Sequence, residues 1–577
     1  MRKLILLVGF FLVIASYVSA QEMTLDNTKP VNTQIQDDTL ANGSQAHSVY
    51  KVESGTYYYF DGTLDTDFDL VIEGPDNGWI LHDANPPVFF QTPALDGTNT
   101  GRDMITLNEG GSVVLKNILL TGLFPNDANI SSFVRNFAGY KIVWDNCAFS
   151  DHVDHCTRST GETDEITITN CVFINGDRRS YSPFGGMPFR LDATCKQLTF
   201  ENNTVVNAAR LFGNGGAVVI LSNMTEIHNT ILNQQVNGHE IQWYEALQAN
   251  NIYYNWSWRG RTLRTNGYEA PFTTFETFSS VKNRLDSISL YEGNNLFYLD
   301  PAIPDYWNNT MNPTKADSDK VMQCFLWNLD VDSTVNADDN FTIGKNYWQI
   351  DPGFTINPTQ LDSMLAWDDA YWKPSAERPT STPDWRFTPP VTWNEDGTPN
   401  LNWPPNFDLT FTNTDLETAG TDGLPLGDLN WYPDAKADYM ANRDTYIAAL
   451  RDSMTNATNV YVPGDSLSAF ITEITGVESY SPNVPNQYYL SNNYPNPFNP
   501  STTIRFGLPE QSEVTLSVFN ILGQKVLELS EKGLAAGEHL FKFNASRLSS
   551  GVYVYSIHAV GVNGKNFTAS KKMMLLK

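Results

Sequence analysis

Four arginines recur at related positions in the middle of the chain. Arg135 precedes Asn146 by 11 residues, Arg158 precedes Asn170 by 12, and Arg190 precedes Asn202 by 12. Arg210 precedes His228 by 18, and the stretch Gly213-Asn214-Gly215-Gly216 could absorb the extra length. Guanidinium groups repeated at one offset suit carboxylates or sulfates on a polymer, because each can form a bidentate, charge-assisted pair. Flanking residues such as Phe189, Leu191, Ala209 and Leu211 are apolar and should face a core, which turns the arginines outward in a row. The alternative is an ion-pair lattice with Asp151, Asp154, Asp177 and Asp192, since stacked like charges repel and need partners.

Other chemistry-bearing residues are scattered. Asp151-His152-Val153-Asp154-His155-Cys156 and Asp177-Arg178-Arg179 have types suited to proton abstraction, and Asp154 and Asp177 could approach each other from adjacent repeats. Asp338-Asp339 and Asp368-Asp369 lie outside the repeat. The aromatic run Tyr253-Tyr254-Asn255-Trp256-Ser257-Trp258-Arg259, with Trp243-Tyr244 before it, could stack on sugar rings or simply fill a core. Phosphate loops, serine-hydrolase elbows and HExxH are absent. Of the five cysteines, Cys156, Cys195 and Cys324 lack zinc spacing, so the sequence assigns no metal ligand.

The elements that must position these residues come from a repeated phrase. It begins at Asn117, Asn146, Asn170, Asn202, His228, Asn250 and Asn294, at intervals of 29, 24, 32, 26, 22 and 44 residues, the last being twice 22. Period-two alternation before most of them, such as Val113/Leu115 and Ile142/Trp144, indicates strands, and the repetition indicates a solenoid. The fourth positions (Leu120, Phe149, Phe173, Val205, Ile231, Tyr253, Phe297) form an apolar inward column. The second positions (Ile118, Cys147, Cys171, Asn203, Asn229, Asn251, Asn295) also point inward, so the asparagines must bond along the stack. Cys147 and Cys171 then replace Asn as small buried thiols.

This pattern, over roughly residues 45 to 360, resembles right-handed parallel β-helix proteins of the pectate lyase type. The resemblance implies an outer sheet forming the floor of a polysaccharide groove. The arginine row (Arg135, Arg158, Arg190, Arg210) would then bind an extracellular anionic polysaccharide. It also implies an alternative, a polysaccharide lyase or glycoside hydrolase, with Ca²⁺ held by acidic side chains in the lyase case; no catalytic pattern is matched residue by residue.

Net charge is −28, and residues 487–577 are +4, leaving −32 for the remainder. So acidic a surface repels phosphates and excludes nucleic acid as a partner. Met1-Arg2-Lys3 followed by the apolar run Leu4 to Val18 and Val18-Ser19-Ala20 reads as a signal peptide over 1–20. Later segments lack the ~20 uninterrupted apolar residues of a membrane span.

The expected organisation is a parallel β-helix over 21–360 and a Pro/Trp-rich segment over 361–454 packing on or capping it, extended over 361–433 and with one helix near 435–454. A linker over 455–486 and an antiparallel, immunoglobulin-like sandwich over 487–577 complete an all-β chain. The helix stripe is Met440, Ile447, Leu450 and Met454. The last segment contains Asn493-Tyr494-Pro495-Asn496-Pro497-Phe498-Asn499-Pro500, Val518-Phe519-Asn520-Ile521-Leu522-Gly523, Ser550-Gly551-Val552-Tyr553 and the ending Lys571-Lys572-Met573-Met574-Leu575-Leu576-Lys577. These motifs resemble the type A C-terminal sorting domain of the type IX secretion system. That resemblance implies recognition by the type IX machinery and an extracellular or outer-membrane surface location.

Overall fold

The computed structural model describes residues 22–92, 103–124, 130, 132–176, 186–214, 220–236, 242–260, 289–315, 320–321, 341–343, 345–455, 478–481, 485, 487–493, 496–498, 501–521, 525–545, 548 and 550–576. The proposed signal peptide, Asp177-Arg178-Arg179, Cys324, Asp338-Asp339 and most of the proposed linker lie outside them. The chain divides into two compact units, one reaching Val460 and the other holding the C-terminal residues.

The first unit is a parallel β-helix with three sheets. Sheet one runs from Glu22–Thr24 to Phe341–Ile343, sheet two from Leu64–Thr66 to Phe212–Asn214, and sheet three from Tyr57–Phe60 to Tyr347–Trp348. Each coil contributes one strand to a sheet, and every pairing in these sheets is parallel. The apolar column is observed in full register: Leu120, Phe149, Phe173, Val205, Ile231, Tyr253 and Phe297 stand one above another. Its rings stack, with centroids 5.3 Å apart for Phe149 and Phe173 and 4.7 Å for Phe297 and Trp348. Offset aromatic stacking adds about 0.5–1.5 kcal/mol per pair beyond area burial.

The asparagine ladder is observed as well. Asn203 Nδ2 donates to Asn229 Oδ1 at 3.0 Å, Asn229 Nδ2 to Asn251 Oδ1 at 2.9 Å, and Asn251 Nδ2 to Asn295 Oδ1 at 3.0 Å. The thiol of Cys171 donates instead to the Thr169 carbonyl at 3.2 Å. Burial pushes that thiol well above its ordinary pKa, so it acts as a packed donor rather than a nucleophile.

Two features of the phrase exceed the sequence reading. Its first residue is left-handed in every repeat, with φ between 53° and 62° from Asn117 to Asn294. The residue five positions on is left-handed too at Asp151, Asn175, Asn207, Asn233 and Asn255. Asparagine tolerates that conformation, so most phrases are a short strand between two left-handed corners, asparagine at nearly all of them. The second corner has its own ladder, in which Asn233 Nδ2 donates to Asn207 Oδ1 at 2.9 Å and Asn255 Nδ2 to Asn233 Oδ1 at 3.0 Å. The 44-residue interval needs correction. Ile252 pairs directly with Leu296, so it spans one coil, not two.

Helix α1 (Val31–Asp37) packs on the first strands of sheets two and three, burying Val31 and Ile35, and closes that end. Helix α2 (Ala302–Tyr306) carries Ile303, and helix α3 (Leu361–Trp372) carries Met364 and Trp367, into a cluster with Trp258 and Trp385. The sequence reads the α3 region as extended because Pro and Trp abound there; burial of its indole decides otherwise. Residues 391 to 432 then cover the outer face of sheet three, where Trp403, Phe407, Leu409 and Leu426 meet Val172, Leu232, Ile252 and Leu296.

Helix α4 (Pro433–Thr455) lies across the outer face of sheet one through Tyr439, Ile447, Leu450 and Met454. Met440, expected in that stripe, is exposed, and Tyr439 takes its place.

The second unit has two antiparallel four-stranded sheets around Ile504, Phe506, Leu516, Val518, Tyr555 and Ile557. Tyr555 Oη donates to the Ser491 carbonyl at 2.8 Å and accepts from the Asn493 N–H at 2.9 Å.

Candidate functional site

Sheet two brings three of the four arginines together. Arg135 pairs in register with Arg158, and Arg158 with Arg190. The position opposite Arg190 on the next coil is Gly213, and Arg210 stands before that strand. Arg210 is therefore not part of the row. The glycines expected to absorb extra length are partly the strand itself, which moves the register three residues beyond Arg210.

Each arginine of the row holds an aspartate. Arg135 Nε donates to Asp103 Oδ2 at 2.9 Å. Arg158 reaches Asp192 Oδ2 through Nε at 2.7 Å and Nη2 at 2.6 Å. Arg190 Nε donates to the other oxygen of Asp192 at 2.7 Å. Asp192 was among the expected partners; Asp103 was not, because it precedes the repeated phrase that organises the sequence reading. Burial works against ionisation of Asp192, but hydrogen bonds from Arg190 and Arg158 outweigh it and hold the carboxyl below its ordinary value. At Asp103 burial wins over Arg135 and raises the pKa.

The row remains partly open. The side chains of Arg135, Arg158 and Arg190 are 16%, 29% and 26% exposed. Arg135 and Arg190 engage their aspartates through Nε, which leaves the Nη groups outside those ion pairs.

The sequence reading missed the residues beside the row. Phe137, two residues beyond Arg135, is 49% exposed, and the Arg135 guanidinium carbon lies 5.9 Å from its ring centroid. Tyr140, in the same turn, is 39% exposed. Among the described residues these are the only large aromatics that exposed.

His155, in register with Ser132 and Met187, is buried under the row. Burial pushes its pKa down to about 3, so it is a neutral ring near Arg190 and Arg158. His152 is pushed down to about 4 by burial and sits 3.5 Å from the Cys156 sulfur.

The other candidates are absorbed by the fold. Tyr253, Tyr254, Trp256 and Trp258 are all buried, as is Trp243. Asp368 is buried and accepts from Trp307 Nε1 at 2.8 Å, and burial raises its pKa well above the ordinary value. Among the described residues no three His, Cys, Asp or Glu side chains converge as a metal site. A shallow cleft of about 670 Å³ lies between α4 and sheet one, lined in part by Gln197, Thr199, Arg443 and Arg451. Its arginines anchor the helix, Arg443 to Glu201 at 2.7 Å and Arg451 to Glu245 at 2.9 Å.

In the second unit, residues 496–498 attach to the final strand. The Phe498 N–H donates to the Met574 carbonyl and the Leu576 N–H to the Phe498 carbonyl, each at 2.9 Å. Residues 492–575 match the family model described as the secretion system C-terminal sorting domain. The C-terminal unit is a type IX sorting domain. The sorting domain directs export by the type IX system to the cell surface or the extracellular space. No helix among the described residues is long and apolar enough to cross a membrane. No curated protein matches the chain. Among solved structures, the crystal structure of CopC from Methylosinus trichosporium OB3b is 19% identical, covering 15% of this chain and 93% of its own, with a TM-score of 0.13.

Proposed function

We propose that the exported solenoid binds an anionic polysaccharide along the outer face of sheet two, without cleaving it. The observation that carries this reading is the register of Arg135, Arg158 and Arg190. One cation per coil repeats at about 4.8 Å, the ordinary strand spacing, which is close to the length of one extended sugar residue. Asp192 serves two arginines, so the pair Arg158 and Arg190 carries one more positive charge than the carboxylate they share. A carboxylate or sulfate on each bound sugar would take the remaining Nη donors. The exposed Phe137 at the end of the row offers a ring face for stacking. Cleavage by a lyase would need an unengaged base; the arginines here are held by aspartates and His155 is buried and neutral.

The test is to incubate the purified protein with uronate and sulfated glycans, following binding, new unsaturated ends and new reducing ends. Binding without new ends is expected, and Phe137→Ala should weaken it about 2- to 10-fold with little loss of stability. New ends that grow with time would make the protein an enzyme and overturn this reading.

A further inference from the structure

One interior column of sheet one changes character along the solenoid. Leu115, Trp144, Ile168 and Phe200 stand in register, and the next three positions are Glu226, Gln248 and Glu292. All three polar side chains are at least 98% buried. Glu226 accepts from Tyr253 Oη at 2.8 Å and from Gln248 Nε2 at 3.1 Å. Glu292 accepts through Oε1 from Asn346 Nδ2 at 3.2 Å, while its Oε2 is buried with no hydrogen-bond partner. An ionised carboxylate has only acceptors, so an orphan oxygen in a dry core is costly. A carboxylic acid at the same place has a donor. The neighbouring Gln248 amide directs its nitrogen to Glu226, and its carbonyl oxygen is an acceptor on the adjacent strand.

We propose that Glu292 is a proton-binding site of the solenoid core, holding its proton on Oε2 toward the Gln248 amide and releasing it as the last coils loosen. Among the described residues the groups facing it contain no cation. Glu226 and Tyr253 are the titratable ones, and Gln248 and Asn346 are neutral. Arg443 and Arg451 of α4 pair with Glu201 and with Glu245, a residue in register with Ser289 rather than with Glu292. Two carboxyls separated by one amide also disfavour double ionisation. Burial first, then the Glu226 charge, raises the Glu292 pKa from 4.5 to about 8, with the Asn346 bond opposing. The folded chain therefore keeps a proton that the unfolded chain loses. The stability from this group is complete below the unfolded value and lost as pH rises through the folded one.

Thermal midpoints of the full chain and of Glu292→Gln, measured from about pH 5 to about pH 9, test the proposal. The amide supplies a permanent donor at the same place. The midpoint of Glu292→Gln relative to wild type should therefore rise steadily with pH and level off near pH 8. Parallel curves, with a constant offset at every pH, would overturn it. Should the variant not fold, the infrared band of a protonated buried carboxyl in the wild type at neutral pH, lost on alkalinisation before unfolding, supports the proposal. Its absence overturns it.

Discussion

Replacing Asn229 by Ala should strongly destabilise the solenoid, because it removes a complete rung of the buried ladder. Asn229 Nδ2 donates to the Phe200 carbonyl at 2.8 Å and to Asn251 Oδ1 at 2.9 Å, and Oδ1 accepts both the Asn203 N–H and Asn203 Nδ2 at 3.0 Å. All of these atoms are buried, so truncation strips the Asn203 N–H and Asn203 Nδ2 of a shared acceptor and the Phe200 carbonyl of its side-chain donor, while Asn251 Oδ1 keeps the Asn229 N–H. Each buried orphan costs about 1–3 kcal/mol, and partial relaxation brings the expected loss to about 3–5 kcal/mol. Asn229→Cys should lose less, because Cys147 and Cys171 already occupy this rung elsewhere and their thiols donate to carbonyls. Urea denaturation of both variants reads the difference. Equal losses would mean that a thiol bonded to a carbonyl contributes nothing at this rung.

Asp192→Asn should move stability and ligand binding in opposite directions. The carboxylate receives one charge-assisted hydrogen bond from each of two arginines at 2.7 Å, has Arg158 Nη2 in ion-pair contact at 2.6 Å, and is 14% exposed. The amide keeps one oxygen but removes the charge, leaving two guanidinium groups stacked without compensation. The expected cost is about 1–3 kcal/mol. Because the Asp192 pKa is depressed when folded, its contribution is present above the unfolded value and lost as pH falls through the folded one. The wild type and variant should therefore converge in stability on strong acidification. The same substitution adds one positive charge to the row and should tighten binding of a sulfated glycan several-fold at low salt. Weaker binding would assign Asp192 to the ligand site itself.

Two fully buried carboxyls of the solenoid run the other way. Asp428 is pushed up to about 7 by burial despite the Thr204 and Asn430 bonds, and Glu292 to about 8. Both contribute stability that fades as pH rises toward those values.

Much of the solenoid can be read from sequence because each coil repeats the same demands. The second and fourth positions of the phrase point inward in every repeat, so one column of residue types predicts the next. The corner asparagines at the first and sixth positions carry an equally regular signal, a residue type that tolerates positive φ, and the sequence reading left it unexplained. What fails is anything set by insertions. Arg210 lies at a plausible distance from His228, yet strand register, fixed by the backbone ladder, places Gly213 opposite Arg190. Glu226, Gln248 and Glu292 do not look like neighbours in sequence, since a 44-residue coil separates the last two; pairing alone reveals the column. The exposed Phe137 and Tyr140 were equally hidden, because in a chain with 12% aromatic residues only burial separates core rings from surface ones.

The central claim is that the arginine row of sheet two engages an anionic polymer. The most direct measurement is the affinity of the full chain for an immobilised sulfated, uronate-free glycan and its desulfated, neutral counterpart, beside the double variant Arg158→Ala/Arg190→Ala. The wild type is expected to bind the sulfated polymer and not the desulfated one, and the double variant to lose about 10-fold or more in affinity while retaining its circular-dichroism spectrum. Equal affinity of wild type and double variant, or equal binding of both polymers, would contradict the account and reduce the row to an ion-pair lattice.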